Sequence, residues 1–171
     1  MVRPVTSARD LVVRPATPRD AHTVCAIYNH YVAATVVTFE EEPVDEPAMA
    51  GRIRDVLASL PWLIAERDGV VAGFAYARPW HARSAYRLSV EATIYLSADA
   101  TRRGIGTELY RALLEDLRAR GLHSAIGVIA LPNPGSVALH EKLGFARIGV
   151  LSEVGWKLGR WVDVGHWQLM L

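Results

Sequence analysis

Residues 86–107 read YRLSVEATIYLSADATRRGIGT and carry the clearest structural pattern in this chain of 171 residues. Apolar and polar residues alternate from Tyr86 to Leu96, and a period of two places the two sets on opposite faces of a β-strand. Glu91 lies in the middle of the polar set. The pattern therefore predicts a central strand from whose polar face Glu91 projects.

The end of this stretch, TRRGIGT at residues 101–107, joins the strand to a helix. Successive backbone N–H groups in such a loop can converge on an anion, and the helix N-terminus adds about half a positive charge. A pyrophosphate would suit this loop. Two glycines also occur in ordinary strand-to-helix turns, and the complete P-loop and dinucleotide fingerprints are missing, so the loop alone leaves both interpretations open.

The segments on either side show the hydrophobic periods of further strands and helices. Apolar and β-branched runs predict strands over residues 11–14, 62–66, 70–77, 124–131, 146–153 and 164–171. Apolar residues at helical spacing predict helices over residues 17–32, 45–60, 105–117 and 136–143. Residues 156–161 lie in a predicted loop between the last two strands. The sum is a mixed α/β layer built around one sheet.

Composition limits the class of protein. The chain has 19 Lys and Arg against 18 Asp and Glu, a net charge of +1, and 51% hydrophobic residues. These values fit one domain over residues 1–171 with a flexible arm over residues 1–10. The balanced charge argues against nucleic acid or an acidic membrane surface as the main partner. Charged residues interrupt the N-terminal segment, so we expect no signal or anchor there and a cytoplasmic protein.

The order of the elements, together with Arg102, Arg103, Gly104, Ile105 and Gly106, resembles the GNAT superfamily of acyl-CoA N-acyltransferases along nearly the whole chain. The resemblance implies a central mixed, mainly antiparallel sheet of about seven strands flanked by about four helices. It also implies acetyl-CoA as co-substrate, with its pyrophosphate bound by the Gly-containing loop. Thr101 departs from the Gln or Arg that usually opens the family's motif.

A narrower resemblance rests on motifs spread over the chain. They are YNHY at residues 28–31, Phe39, PW at 61–62, and the segments 76–86, 132–136, 139–145 and 155–168. These are similar to the phosphinothricin N-acetyltransferase branch, whose members acetylate the α-amine of phosphinothricin, methionine sulfoximine or methionine sulfone. The resemblance implies direct transfer of the acetyl group within a ternary complex.

Two residues are candidates for acid–base chemistry. An α-ammonium group must lose a proton before its nitrogen can attack a thioester, which requires a carboxylate near the amine. Glu91 matches the family's general base, acting directly or through a water, although a salt-bridged glutamate would fit the same pattern. His140 stands where many GNAT enzymes have a tyrosine, and the branch resemblance implies that it assists proton transfer. A structural histidine is the alternative.

The resemblance also assigns residues to the cofactor. They are Tyr95, Leu96, Ser97, Arg102, Arg103, Gly104, Ile105, Gly106, Thr107, Asn133 and Ser136. Main-chain groups of the strand end and of the loop are expected to bind acetyl-CoA, and Asn133 to bind its pantetheine arm. Asn133 fits a helix N-cap before Pro134 equally well.

The substrate is assigned to a second set, namely Tyr31, Phe39, Trp80, His81, Arg83 and Thr93. Arg83 is the leading partner for a substrate carboxylate, because Arg binds carboxylates bidentately. His81 replaces a Lys found in members that favour phosphinothricin, which favours the neutral sulfone or sulfoximine. The aromatic residues would form walls, although aromatics at this spacing commonly belong to the core.

Other functions fit parts of the sequence. The acidic cluster of Glu40, Glu41, Glu42, Asp45 and Glu46 would suit a polyamine, a peptide N-terminus or a protein lysine, or would form a solvated loop. A non-catalytic acyl-CoA-binding module is a further alternative. No metal is expected, since the six histidines show no metal-ligand spacing. The family usually forms homodimers, for which the aromatic C-terminal segment offers apolar surface.

Overall fold

The computed structural model describes residues 11–100 and 104–171. The predicted N-terminal arm and the two arginines Arg102 and Arg103 lie outside these ranges. The strands are β1 (Leu11–Pro15), β2 (Trp62–Arg67), β3 (Val70–Pro79), β4 (Ser89–Leu96), β5 (Ser124–Leu131), β6 (Ala146–Lys157) and β7 (Arg160–Met170). The helices are α1 (Ala21–Ala34), α2 (Glu46–Leu57), α3 (Ile105–Ala119) and α4 (Pro134–Lys142).

The strands form one sheet in the order β1-β2-β3-β4-β5-β7-β6. Neighbouring strands are antiparallel except for β4 and β5, which are parallel. Their ladder runs only from the pair Ser89–Ser124 to the pair Glu91–Ile126, whereas β4 continues along β3 as far as Leu96. A gap therefore opens beyond Glu91, and the predicted mixed, mainly antiparallel sheet is confirmed.

The alternation in β4 sorts its side chains between two cores. Val90 and Ala92 are buried on one face against α3, whose Leu109 and Leu113 are fully buried. Tyr95 is buried on the opposite face with residues of α1 and α2. Burying each leucine side chain contributes roughly 1.5–3 kcal/mol. The sheet is thus held between helices on both faces, and the polar set of β4 faces the side of α1 and α2.

The predicted start of the central strand is wrong by three residues. β4 begins at Ser89 rather than Tyr86. Residues 84–86 form a single 3₁₀ turn, in which the Tyr86 N–H donates to the Arg83 carbonyl at 3.0 Å. The alternation before Ser89 therefore does not reflect a pleated strand.

The predicted loop over residues 156–161 is also wrong. β6 and β7 extend almost to each other and are joined at Leu158 and Gly159, both of which have positive φ. The pairing is irregular between Leu151 and Gly155, where Glu153 has a φ of 52° and its N–H donates to Asp163 Oδ1 at 2.8 Å. This irregularity breaks the period of two that would have marked the strand.

Candidate active site

A cavity of about 690 Å³ lies on the α1 and α2 side of the sheet, and we call it the Glu91 cavity. Glu91 and Thr93 of β4 line it, together with Arg78 of β3. Its aromatic wall is formed by Tyr28, Phe39, Trp62, Phe74, Tyr76 and Tyr95. Burial raises the pKa of Tyr76 to about 12. The Tyr76 hydroxyl in this wall is therefore neutral.

Glu91 is paired with Arg78, its direct cross-strand neighbour. Arg78 Nη2 lies 2.8 and 2.9 Å from the two carboxylate oxygens. The Glu91 side chain is 15% exposed and that of Arg78 is 57% exposed. Both contacts use one nitrogen, so the guanidinium can bind a second anion through its other N–H groups. The salt-bridged alternative for Glu91 is therefore confirmed, in a position that still lines a cavity.

A second cavity of about 670 Å³ lies at the start of α3, and we call it the Gly104 cavity. Gly104, Gly106 and Thr107 line it from α3 and the residue before it. Gly104 has a φ of 78°, a left-handed conformation that glycine adopts without strain. A Cβ atom at Gly106 would stand 3.0 Å from a methyl group of Leu96. Glycine therefore allows α3 to approach β4 closely at this cavity.

α4 forms the other side of the Gly104 cavity through Asn133, Gly135, Ser136, Leu139 and Lys142. Asn133 Oδ1 accepts from the Ser136 N–H at 3.1 Å, which confirms the N-cap interpretation. Asn133 lines the cavity as well, and its contact with the pantetheine arm stays a prediction. Lys142 Nζ donates to Thr107 Oγ1 at 3.4 Å and supplies a cation that the sequence analysis did not single out.

Several predicted cofactor groups are already engaged within the protein. The Leu96 carbonyl accepts from the Tyr31 hydroxyl at 2.6 Å, and the Ser97 N–H donates to Ala72 at 2.9 Å. The Ile105 side chain is buried in the core. Tyr95 and Leu96 nevertheless line the Gly104 cavity. These residues shape the cavity wall, and only part of their main chain can bind a ligand.

The two cavities share part of their walls. Val37 and Tyr95 line both, and a space of about 40 Å³ between them is lined by the same two residues together with Thr93 and His140. This junction lies beyond Glu91, where β4 has separated from β5. The gap in the sheet therefore brings the two cavities together.

His140 of α4 is 3% exposed at this junction. Its Nδ1 lies 2.8 Å from the Ser136 carbonyl, and its Nε2 lies 3.0 Å from the Tyr110 hydroxyl. Burial lowers the pKa of His140. Because a carbonyl only accepts, we assign the proton of the neutral ring to Nδ1, which leaves Nε2 as an acceptor. A Cβ atom at Gly127 would stand 2.5 Å from the ring, so this packing requires glycine.

The Tyr110 hydroxyl lies between His140 and strand β4 and contacts both. It lies 3.0 Å from the carbonyl of Ala92, one residue beyond the last β4–β5 pair. With His140 neutral, one hydroxyl proton faces two acceptors, Nε2 and the Ala92 carbonyl. If Nε2 takes up a proton, it donates to Tyr110 while Tyr110 donates to Ala92, and all three contacts are satisfied. The pair can therefore hold one additional proton.

The predicted substrate residues separate into three groups. Phe39 and Thr93 line the Glu91 cavity, whereas Tyr31 lines the Gly104 cavity. Neither cavity is lined by Trp80, His81 or Arg83. The rings of Trp80 and His81 lie 4.8 Å apart. The Arg83 side chain is exposed. Their substrate roles stay predictions. Arg78, which does line the Glu91 cavity, was missed because only the β3–β4 register places it beside Glu91.

One cavity contains a carboxylate, the other contains a helix N-terminus, and the two meet beside a buried histidine, an arrangement that suits transfer of a group between two bound substrates. Residues 24–145 match the acetyltransferase (GNAT) family. The chain therefore belongs to the GNAT acetyltransferase family, and the predicted family is confirmed.

Individual relatives cover nearly all of the chain. It is 46% identical over 160 residues to the phosphinothricin N-acetyltransferase of Streptomyces viridochromogenes, covering 94% of this chain and 87% of that protein. It is 37% identical to the L-methionine sulfoximine/L-methionine sulfone acetyltransferase of Pseudomonas aeruginosa, covering 93% and 94%. A phosphinothricin acetyltransferase from Sinorhizobium meliloti, crystallised with acetyl-CoA, matches with a TM-score of 0.91 at 37% identity, covering 94% and 88%.

Neither a metal cluster nor a membrane-spanning helix occurs in the described part of the chain. Within residues 11–100 and 104–171, no group of three or more His, Cys, Asp or Glu side chains is arranged to hold a metal ion. None of the helices in the described part of the chain is long and apolar enough to cross a membrane.

Proposed function

We propose that this protein is an acetyl-CoA-dependent N-acetyltransferase acting on the α-amine of a small amino-acid analogue such as phosphinothricin, methionine sulfoximine or methionine sulfone. The observation that carries the proposal is the junction of the Glu91 and Gly104 cavities in the gap between β4 and β5. The relatives support the substrate class, since both enzymes described above are named for these amino acids.

Acetyl-CoA binds in the Gly104 cavity. The free N–H groups at the start of α3 suit its pyrophosphate, because a helix N-terminus favours negative charge. Lys142 adds positive charge at the same end, next to Thr107. The Asn133 side chain can donate from Nδ2 to the pantetheine arm while Oδ1 caps α4. The thioester then reaches the junction beside His140.

The amino-acid substrate binds in the Glu91 cavity, where the charges of Glu91 and Arg78 are complementary to an ammonium group and a carboxylate. Glu91 takes the ammonium end, and the guanidinium of Arg78 takes the α-carboxylate. The polar head of the substrate then lies along the aromatic wall. The same pair disfavours a polyamine, which would bring a second cation to Arg78.

The reaction forms one C–N bond and breaks the thioester C–S bond. The amine gives a proton to Glu91, directly or through a water, and its nitrogen attacks the thioester carbon. Backbone N–H groups of β4 beyond Glu91 face the gap and can stabilise the oxyanion. After the attack the nitrogen carries one proton more than the amide product, and this proton is transferred to the thiolate of CoA when the C–S bond breaks. His140 with Tyr110 can hold a proton at the junction, and proximity of the two substrates supplies much of the rate.

Steady-state assays with phosphinothricin, methionine sulfoximine and methionine sulfone test this proposal. In the variant Glu91→Gln, we expect kcat to fall by about 10²–10⁴-fold, the usual contribution of a general base, while CoA binding measured by calorimetry is retained. Turnover only with lysine peptides or polyamines would refute the amino-acid substrate. CoA binding without turnover of any amine would favour the non-catalytic module.

We also propose that the protein is a single domain, is cytoplasmic and forms a homodimer. The sheet that joins all seven described strands, from β1 at one edge to β6 at the other, supports a single domain, and dependence on acetyl-CoA suits the cytoplasm. Exposed apolar side chains on β6 and β7 support a homodimer through this hairpin. They are Ile148, Leu151, Val154, Trp156 and Trp161. Sedimentation of the wild-type protein and of Trp161→Glu tests the dimer.

A further inference from the structure

Residues 36–40, between α1 and α2, form a roof over the place where the two cavities meet. Val37 lines the Glu91 cavity, the Gly104 cavity and the junction. Thr38, Phe39 and Glu40 line the Glu91 cavity. The roof is neither helix nor strand, so side-chain contacts have to fix its position.

One of these contacts comes from Lys157 at the end of β6. Lys157 is only 2% exposed, and its Nζ donates to the Thr38 carbonyl at 2.8 Å. Burial lowers the pKa of Lys157, and the nearby carboxylates of Glu41 and Glu40 act in the opposite direction. A buried ammonium group is costly unless it is hydrogen-bonded and paired. The hydrogen bond to Thr38 and the two nearby carboxylates offset that cost and hold the ammonium group against the roof.

Apolar contacts from β5, β6 and β7 support the roof on either side of Thr38. Val36 packs with Ala130 and Val162. The Phe39 ring lies against Gly155, where a Cβ atom would overlap the ring. Residues 36, 38 and 39 thus all contact the β5–β7–β6 end of the sheet.

The other side of the roof is tied to the helices. The Thr38 hydroxyl lies 2.8 Å from the Tyr28 hydroxyl, which in turn donates to Glu40 Oε1 at 3.1 Å. Arg52 of α2 donates to the same oxygen at 2.6 Å. Tyr28, Glu40 and Arg52 therefore fix the roof from α1 and α2, and Lys157 fixes it from the sheet.

We propose that Lys157 is a positioning residue for acetyl transfer, acting through the Thr38 carbonyl to hold Val37 and Phe39 over the junction where the amine meets the thioester. This role rests on the proposed function, because it specifies what keeps the amino-acid cavity in shape. Lys157 itself contacts neither substrate. Loss of its ammonium group loosens the roof and impairs binding of the amine more than binding of CoA.

The main test compares Lys157→Met, which keeps an apolar stem and removes the charge, with Arg160→Met. Arg160 is the exposed cross-strand partner of Lys157, so it serves as a matched control on the same hairpin. A hydrogen bond to a charged group contributes about 1.5–3 kcal/mol, which corresponds to about 10–100-fold. We expect the KM for the amine to rise by that factor in Lys157→Met, the Kd for CoA to change less than about twofold, and Arg160→Met to resemble the wild type.

A readout without substrate separates this role from the proposed function. Amide hydrogen exchange should become faster over residues 36–40 in Lys157→Met and not in Arg160→Met. If the wild type acetylates no amino acid but the roof exchanges faster, only the proposed function fails. If the wild type is active and the KM for the amine is unchanged in Lys157→Met, the positioning role fails.

Two further variants guard against a purely structural effect. Lys157→Arg keeps the charge and the donor and should restore most of the affinity for the amine. Gly155→Ala displaces the Phe39 ring from the other side and should give the same separation between amine KM and CoA Kd. If Lys157→Met does not fold, Gly155→Ala supplies the decisive measurement. Equal changes in amine KM and CoA Kd in the variant that folds would overturn the inference.

Discussion

The Glu91 cavity and the Gly104 cavity are built in different ways. The first depends on side chains from distant segments, since Glu91 comes from β4, Arg78 from β3 and Tyr28 from α1. The second adds to its side chains a stretch of backbone at Gly104 and Gly106, at the start of a helix. Such a stretch of backbone is specified by a few consecutive residues, whereas a site made of side chains is specified by strand register. Substitutions should therefore affect the two substrates separately.

We expect the largest difference between the effect on the amino-acid substrate and the effect on CoA at Arg78. Replacing it in Arg78→Met removes the cation beside Glu91, and the KM for the amino-acid substrate should rise by about 10–100-fold, since hydrogen bonds to charged groups contribute about 1.5–3 kcal/mol. CoA binding should be retained. Arg83→Met is the control in steady-state kinetics, because Arg83 lies outside both cavities. A larger loss in Arg83→Met than in Arg78→Met would reverse the assignment.

At Gly106 we expect a smaller effect, and it should concern binding of CoA rather than binding of the amine. A branched side chain in Gly106→Val would press on Leu96 and narrow the Gly104 cavity. At a cost of about 1–2 kcal/mol, the Kd for CoA should rise about tenfold while the KM for the amine changes little. Calorimetry with CoA measures this. Gly149→Val is the control, since nothing lies within 4 Å of a Cβ atom there. Unchanged CoA affinity in Gly106→Val would mean that CoA binds elsewhere.

The smallest effect is a pH dependence from His140 at the junction. Its pKa is lowered in the folded protein, so the unfolded chain binds more protons between that value and about 6.5. Stability should be fully present above pH 6.5 and fall as the pH decreases through this window, by at most about 1.4 kcal/mol per pH unit for one group. Denaturant unfolding at several pH values, compared with His140→Gln, tests the sign. A wild-type protein that becomes more stable toward pH 5, relative to the variant, contradicts the neutral assignment.

The sequence predicted what depends on short-range pattern. The order of strands and helices followed from periodicity. Glu91 was singled out because the alternation within one strand places it on the polar face. The N-cap of Asn133 also followed from adjacent residues. The sheet class and the family, taken from the resemblance, are confirmed by the structure and the comparisons.

The rest depends on contacts between distant segments. Arg78 lies beside Glu91 through the β3–β4 register, and Tyr110 reaches His140 across 30 positions of sequence. Gly127 reads as an ordinary strand glycine until the histidine ring is seen against it. The length of β6 was hidden by the irregular pairing around Glu153. The catalytic and substrate roles of individual residues stay predictions until the variants are measured.

The short ladder between β4 and β5 has a practical consequence for inhibitor chemistry. A single molecule that links an amino acid to CoA through the acetyl carbon could pass through the opening left by the missing strand pairs. Once one half of such a molecule is bound, the other half binds at a high effective concentration. The affinity of the linked molecule should therefore greatly exceed that of either substrate. Linker length, matched to that opening, would then decide potency.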